Sequence, residues 1–239
     1  MIQLTKLSPT FFAAGLVSAL AACGAQVDGD HQGQVLARLQ GTMHSAEDPG
    51  RTVEADISVT WVIGSGGTSF VGADHVEVEG SLPSNFALSV FTPPSDDTMW
   101  DWDGVKFATA YIVSNPPGED PQDWQRWLGA DMDHVLVYLP ATPPAGSDVA
   151  ALLRGTPSAG FHLYDVHHVT EAERQERLDC QNTLGFSATL TEIVATCGGT
   201  ANDDLLPSSS DLETLLSIGV VSSFGLDEFN ALPAWYGLI

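Results

Sequence analysis

The sequence predicts a mainly β protein: an antiparallel β-sandwich, with a β-barrel as the alternative, carrying two or three short helices. Three observations lead there. Apolar and polar residues alternate with period two over many short segments, as half-buried strands require. Proline pairs at Pro93-Pro94, Pro116-Pro117 and Pro143-Pro144 break the chain between those segments, and proline lacks the amide donor of a central strand. Helical patterns are confined to three short stretches.

The elements follow in order. In 34–44, Val35, Ala37, Leu39, Gly41 and Met43 share one face. In 53–63, Val53, Ala55, Ile57, Val59, Trp61 and Ile63 alternate with Glu54, Asp56, Ser58 and Thr60, which predicts a strand with one wet face. The glycine-rich run 64–67 ends it. Further strand candidates are 75–80, 86–91, 105–113, 134–139, 161–168 and 186–194. The stretch 121–129 begins with proline and ends with glycine, as helices often do. Two capping boxes, Thr170 with Glu173 and Ser210 with Glu213, start the other two helices. The apolar, aromatic C-terminal segment 220–239 reads as a piece that docks on the core.

The N-terminus locates the protein. The apolar run Phe11 to Ala22 is too short for a membrane span, which needs roughly 20 residues, but it has the length of a signal-peptide core. Lys6 precedes it and no acid does. Its end, Leu20-Ala21-Ala22-Cys23, resembles the lipobox of bacterial lipoproteins. The resemblance implies a signal peptide over 1–22, cleavage before Cys23, diacylation of its thiol (the palmitate-type modification) and anchoring to the cell envelope. Residues 23–33, rich in Gly and Asp, form a flexible lipidated tether, and 34–239 form a single β-rich domain. By the same resemblance, glycine rather than aspartate at position 24 implies the outer membrane.

A second resemblance covers about half the chain. The Asp-Gly-Asp tether, the strand around Leu39 and Gly41, and the segment Gly80 to Pro94 resemble uncharacterised acidic lipoproteins of social gliding soil bacteria, the myxobacterial type. In that group the strand corresponding to 108–113 leads to a loop suited to calcium, but here 114–124 departs from the pattern. The resemblance implies location and fold, not activity.

Charge narrows the partners. The chain holds 8 Lys+Arg against 31 Asp+Glu, and removal of 1–22 takes Lys6 alone, leaving a net charge of −24. Such a surface repels nucleic acid and anionic lipid, so no nucleic-acid partner is expected. The membrane is reached through the lipid on Cys23, and a protein or glycan partner is left open.

Several catalytic signatures are missing. There is no Gly-x-Ser-x-Gly elbow, no phosphate loop with its lysine and no His-Glu-x-x-His. Dispersed candidates remain. His162, Tyr164 and His168 fall on one strand face, Asp165 and His167 on the other, with His134, Asp131 and Asp133 as possible companions for a metal. Asp101 and Asp103, in Asp-x-Asp-Gly, offer two hard oxygens to calcium but lack the following acids. Both are weak metal candidates, and no cofactor is assigned beyond a possible calcium. Trp100, Trp102, Trp124 and Trp127 would make a glycan platform if two of them were exposed and coplanar. Three readings follow: a lipid-anchored protein with a non-enzymatic binding or structural role, a metal-dependent hydrolase built on the His/Asp clusters, and a glycan-binding module.

With Cys23 lipidated, Cys180 and Cys197 remain, an even count in an exported chain. Neither belongs to a Cys-x-x-Cys, and nothing cationic beside them lowers a thiol pKa. They predict a structural disulfide between the end of one helix and the far end of a strand.

Overall fold

The structure is a computed structural model, and it describes residues 33–63, 70–208 and 215–232. The signal peptide, Cys23, nearly all of the tether, the glycines 64–67, the second capping box and the residues beyond 232 lie outside the described residues.

Eleven strands form the framework: β1 (Ala37–His44), β2 (Thr52–Val62), β3 (Phe70–Ser81), β4 (Ser84–Val90), β5 (Trp100–Trp102), β6 (Val105–Asn115), β7 (Gly129–Asp131), β8 (His134–Leu139), β9 (Gly160–His167), β10 (Asp204–Pro207) and β11 (Leu215–Val220). Among the described residues four α-helices accompany them: α1 (Asp148–Leu152), α2 (Glu171–Leu184), α3 (Leu190–Cys197) and α4 (Leu226–Asn230). Among the described residues no helix is long and apolar enough to cross a membrane.

The fold is mainly β, and its large sheet is not closed into a barrel. The strands run in the order β10-β9-β8-β6-β7-β11-β1-β4, and β2 pairs with β6 and carries β3. The path turns over at β7, which pairs with β6 through Val113↔Ala130 and with β11 through Gly219↔Ala130. One core is then shared across the fold, as in a sandwich. Leu39, Met43, Leu88, Leu216 and Ile218 enter it from one side, and Ile57, Val59, Trp61, Val78 and Ile112 from the other.

The opposite face of β6 and β8 is buried too. Phe107, Tyr111, Val113, Val135 and Val137 pack there beneath Val149, Leu152 and Leu190 of the helices and beneath Trp127 and Phe224. Burial on both faces explains the near-continuous apolar run of β6.

Glycine is required where backbones touch. A Cβ on Gly129 would lie 2.0 Å from the Gly219 carbonyl oxygen, and one on Gly41 2.4 Å from the Leu216 carbonyl oxygen.

The structure departs from the sequence reading in five places. The sheet is mixed, because β1 and β11 run parallel through Gln40↔Leu215. Leu215 and Leu216, expected in a helix, lie in β11, where Leu216, Ile218 and Val220 are buried with strand periodicity. The stretch 186–194 is not a strand. Thr189 and Glu192 form a capping box that starts α3, and this outweighs the β-branched composition. The stretch 121–129 makes only a short 3-10 turn at Trp124–Arg126, because Trp127 turns inward and its indole N–H donates to the Pro121 carbonyl (2.9 Å). The second face of β2 is wet at Glu54 but not beyond it, since Asp56, Ser58 and Thr60 are buried. The loop after β6 covers them, with Asp56 accepting the Gly118 N–H at 3.0 Å.

Candidate functional site

Residues that were scattered in the sequence meet at the end of β7, β8 and β9. Register places His134 directly opposite Asp165. The tight turn between β7 and β8 returns Asp131 toward His134, and the ring Nδ1 donates to Asp131 Oδ1 at 2.9 Å. The other ring nitrogen, Nε2, lies 3.6 Å from Asp165 Oδ1.

Asp131 is wholly buried and fully used: Oδ1 also accepts the Asp133 N–H (3.0 Å), and Oδ2 accepts the Ser217 N–H of β11 (2.6 Å). Burial opposes a charge on His134. The hydrogen bond and charge of Asp131, with the charges of Asp165 and Asp133, outweigh it and hold the pKa above the ordinary value of 6.5.

His168 sits just past β9. Its Nε2 donates to the Met132 carbonyl at 2.9 Å and lies 3.7 Å from Asp133 Oδ1, and its Nδ1 lies 3.5 Å from Asp203 Oδ2. Asp203 Oδ1 in turn accepts the Val169 N–H (2.8 Å). His167 faces away and meets Glu173 at 3.1 Å. Glu173 accepts from the hydroxyl and the backbone N–H of Thr170 and from His167, which lowers its carboxyl to about 2.

His162 is not part of this group. Its Nε2 donates to the Ser158 carbonyl (2.7 Å), and the ring lines a separate cavity of about 300 Å³ with Leu153, Tyr164 and Pro207. Among the described residues no three His, Cys, Asp or Glu side chains converge on a point that could hold a metal ion. The gathered histidines hold backbone and carboxylates instead.

The Asp-x-Asp-Gly stretch is a hairpin turn. Asp103 (φ 51°) and Gly104 (φ 80°) both have positive φ and link β5 to β6 by a two-residue loop, for which Asp-Gly is a favoured pair. Asp101 Oδ1 accepts the Gly104 N–H at 3.0 Å, and Asp101 lies opposite Lys106.

The tryptophans do not present a platform. Trp100 and Trp127 are buried, while Trp102 and Trp124 are half-buried against the same core. Trp124 packs on Phe229 with ring centroids 4.4 Å apart.

A second polar cavity, about 310 Å³, lies under the loop after β6 and is lined by Asp56, Ser58, His75, Asn115 and Asp120. Asn115 closes that loop by donating to the Pro116 and Glu119 carbonyls (3.1 and 3.0 Å). Asp56 Oδ1 is buried and has no hydrogen-bond partner among the described residues.

Cys180 and Cys197 form a disulfide with Cα atoms 5.8 Å apart. It ties α2 to α3, helix to helix, rather than helix to strand. Nearby, Asp204 receives two guanidinium groups, Arg154 at 2.7 Å and Arg177 at 2.8 Å. Arg154 also donates to the Gly198 carbonyl and Arg177 to the Thr200 carbonyl. The sequence reading missed this cluster, as it missed Asp203, because no local pattern relates positions 154, 177 and 203–204.

Comparison with known proteins adds no relative: no family model, no curated protein and no solved structure matches the chain.

Proposed function

We propose that the chain is an exported, lipid-anchored protein of the cell envelope, held through Cys23, whose β-rich fold serves a non-enzymatic binding or structural role. The observation that carries this is the Cys180–Cys197 disulfide. Disulfides persist in oxidising, extracytoplasmic compartments, where the lipobox-like Leu-Ala-Ala-Cys would deliver the chain. Two or three acyl chains on one residue give stable anchoring where a single chain would be marginal. Glycine at position 24 favours the outer membrane as the destination.

The use made of the polar clusters supports a non-enzymatic role. The carboxylate of Asp131 is spent on two backbone amides and one imidazole, and that of Asp204 on two guanidinium groups. Neither is left to bind a reacting group. The test is metabolic labelling with a palmitate analogue, followed by detergent-phase partition. Wild type should label and enter the detergent phase, Cys23→Ala should do neither, and an unlabelled wild type sinks the proposal.

A further inference from the structure

The two histidines at the end of β7–β9 share a feature that ordinary surface histidines lack. Each ring presents both of its nitrogens to oxygen acceptors. For His134 these are Asp131 Oδ1 at 2.9 Å and Asp165 Oδ1 at 3.6 Å. For His168 they are the Met132 carbonyl at 2.9 Å and Asp203 Oδ2 at 3.5 Å. A neutral imidazole has one N–H and one lone pair, whereas an imidazolium has two N–H groups. Only the imidazolium matches the partners on both sides of the His134 ring.

The partners come from different elements. Asp131 ends β7, Asp165 lies on β9, Met132 and Asp133 form the β7–β8 turn, and Asp203 immediately precedes β10. A backbone bond runs along the same seam, from the Val166 N–H to the Asp133 carbonyl (2.7 Å). On the far side of Asp131, Ser217 extends the connection to β11. These contacts meet at β7, the strand on which the sheet turns from β6 to β11.

We propose that His134 forms a pH-sensitive clasp that fastens the β7–β8 turn to β9 when its ring is protonated, and that loosens this seam as the ring loses a proton.

The geometry also says which contacts break first. On deprotonation His134 keeps Nδ1–H on buried Asp131, so the Nε2 lone pair faces half-exposed Asp165. The contact to β9 then becomes repulsive, while the contact within the β7–β8 turn survives. Other charged groups at the seam are Asp133, which stands near both rings, and the His167–Glu173 pair, which turns toward α2.

The sign follows from linkage. A histidine held above its unfolded pKa contributes stability that is fully present below about pH 6.5 and is lost as pH rises through the folded value. An envelope protein meets external pH directly, but the clasp does not depend on lipid anchoring.

Hydrogen exchange on the full mature protein, corrected for intrinsic rates, tests the clasp between about pH 5.5 and about pH 8.0, the range in which histidine titrates. Protection over 129–135 and 164–167 should fall several-fold at the higher pH, while that of β2 stays constant. His134→Gln should remove the pH dependence. If that variant fails to fold, Asp165→Asn decides, since it replaces a half-exposed carboxylate by a neutral amide and should lower the His134 titration midpoint seen by NMR. Equal seam protection at both pH values, an unchanged pH dependence in His134→Gln, or an unmoved His134 midpoint in Asp165→Asn would each overturn the clasp.

Discussion

Gly129 stands where β7 passes between β6 and β11, and no other residue type fits there without moving backbone. Its missing Cβ leaves room for the Gly219 carbonyl, which would otherwise lie at 2.0 Å, with the Val220 Cα at 3.2 Å. Gly219 is the informative contrast, because a Cβ there would meet only the His44 ring, at 3.9 Å. Gly129→Ala should therefore cost about 3 kcal/mol, the upper part of the overpacking range. Gly219→Ala should cost well under half of that. Urea denaturation of the two variants compares them directly, and equal midpoints would mean that the turn of the sheet tolerates displacement of β11. Single residues also mark the limit of sequence reading. His134, Asp131 and Asp133 could be picked out as titratable neighbours in sequence. Their partners Asp165 and Asp203 could not be assigned, because strand register and the return of the chain before β10 decide which carboxylate meets which ring.

Among the elements, α2 is the longest helix described, yet it buries none of its residues. The core does not hold it. It is held by the disulfide to α3, by Arg177 on Asp204 and by its N-terminal cap to β9 through His167. Replacing both Cys180 and Cys197 by serine should cost about 3 kcal/mol, the loop-closure value for a loop of this length. The loss of hydrogen-exchange protection should concentrate in 171–197, and a loss spread evenly over the β core would contradict this placement. The cap has its own pH dependence. The Glu173 carboxyl is lowered from 4.5 to about 2, so its contribution is present above the unfolded value and is lost as pH falls toward 2. Circular dichroism between those values should show α2 fraying from its start, and Glu173→Gln should abolish that transition. Capping chemistry was legible in the sequence where the helix pattern agreed with it, at Thr170 and Glu173. At Thr189 and Glu192 the same chemistry was masked by alternating apolar residues and by Thr, Ile and Val, which favour strands. Most strand positions were legible because short runs of alternating or continuously apolar residues mark them. The short strands β5, β7 and β10 were not, since three or four residues carry no measurable period.

At the scale of the molecule, the mainly β class was readable from patterning, and the disulfide from the even count of cysteines left beside Cys23. The shape of the sheet was not readable. The parallel β1–β11 pair and the turn at β7 arise from long-range pairing that no local stretch encodes. The strongly acidic composition would oppose binding to anionic head groups, so the proposed envelope location needs an anchor. Intact-mass spectrometry of protein purified from the envelope without reducing agent tests this most directly. The predicted species begins at Cys23, carries a diacylglyceryl group with or without a further acyl chain, and yields one cross-linked Cys180–Cys197 peptide with no free thiol. A chain that still begins at Met1, or one that begins at or near Cys23 with no lipid mass, would contradict the account.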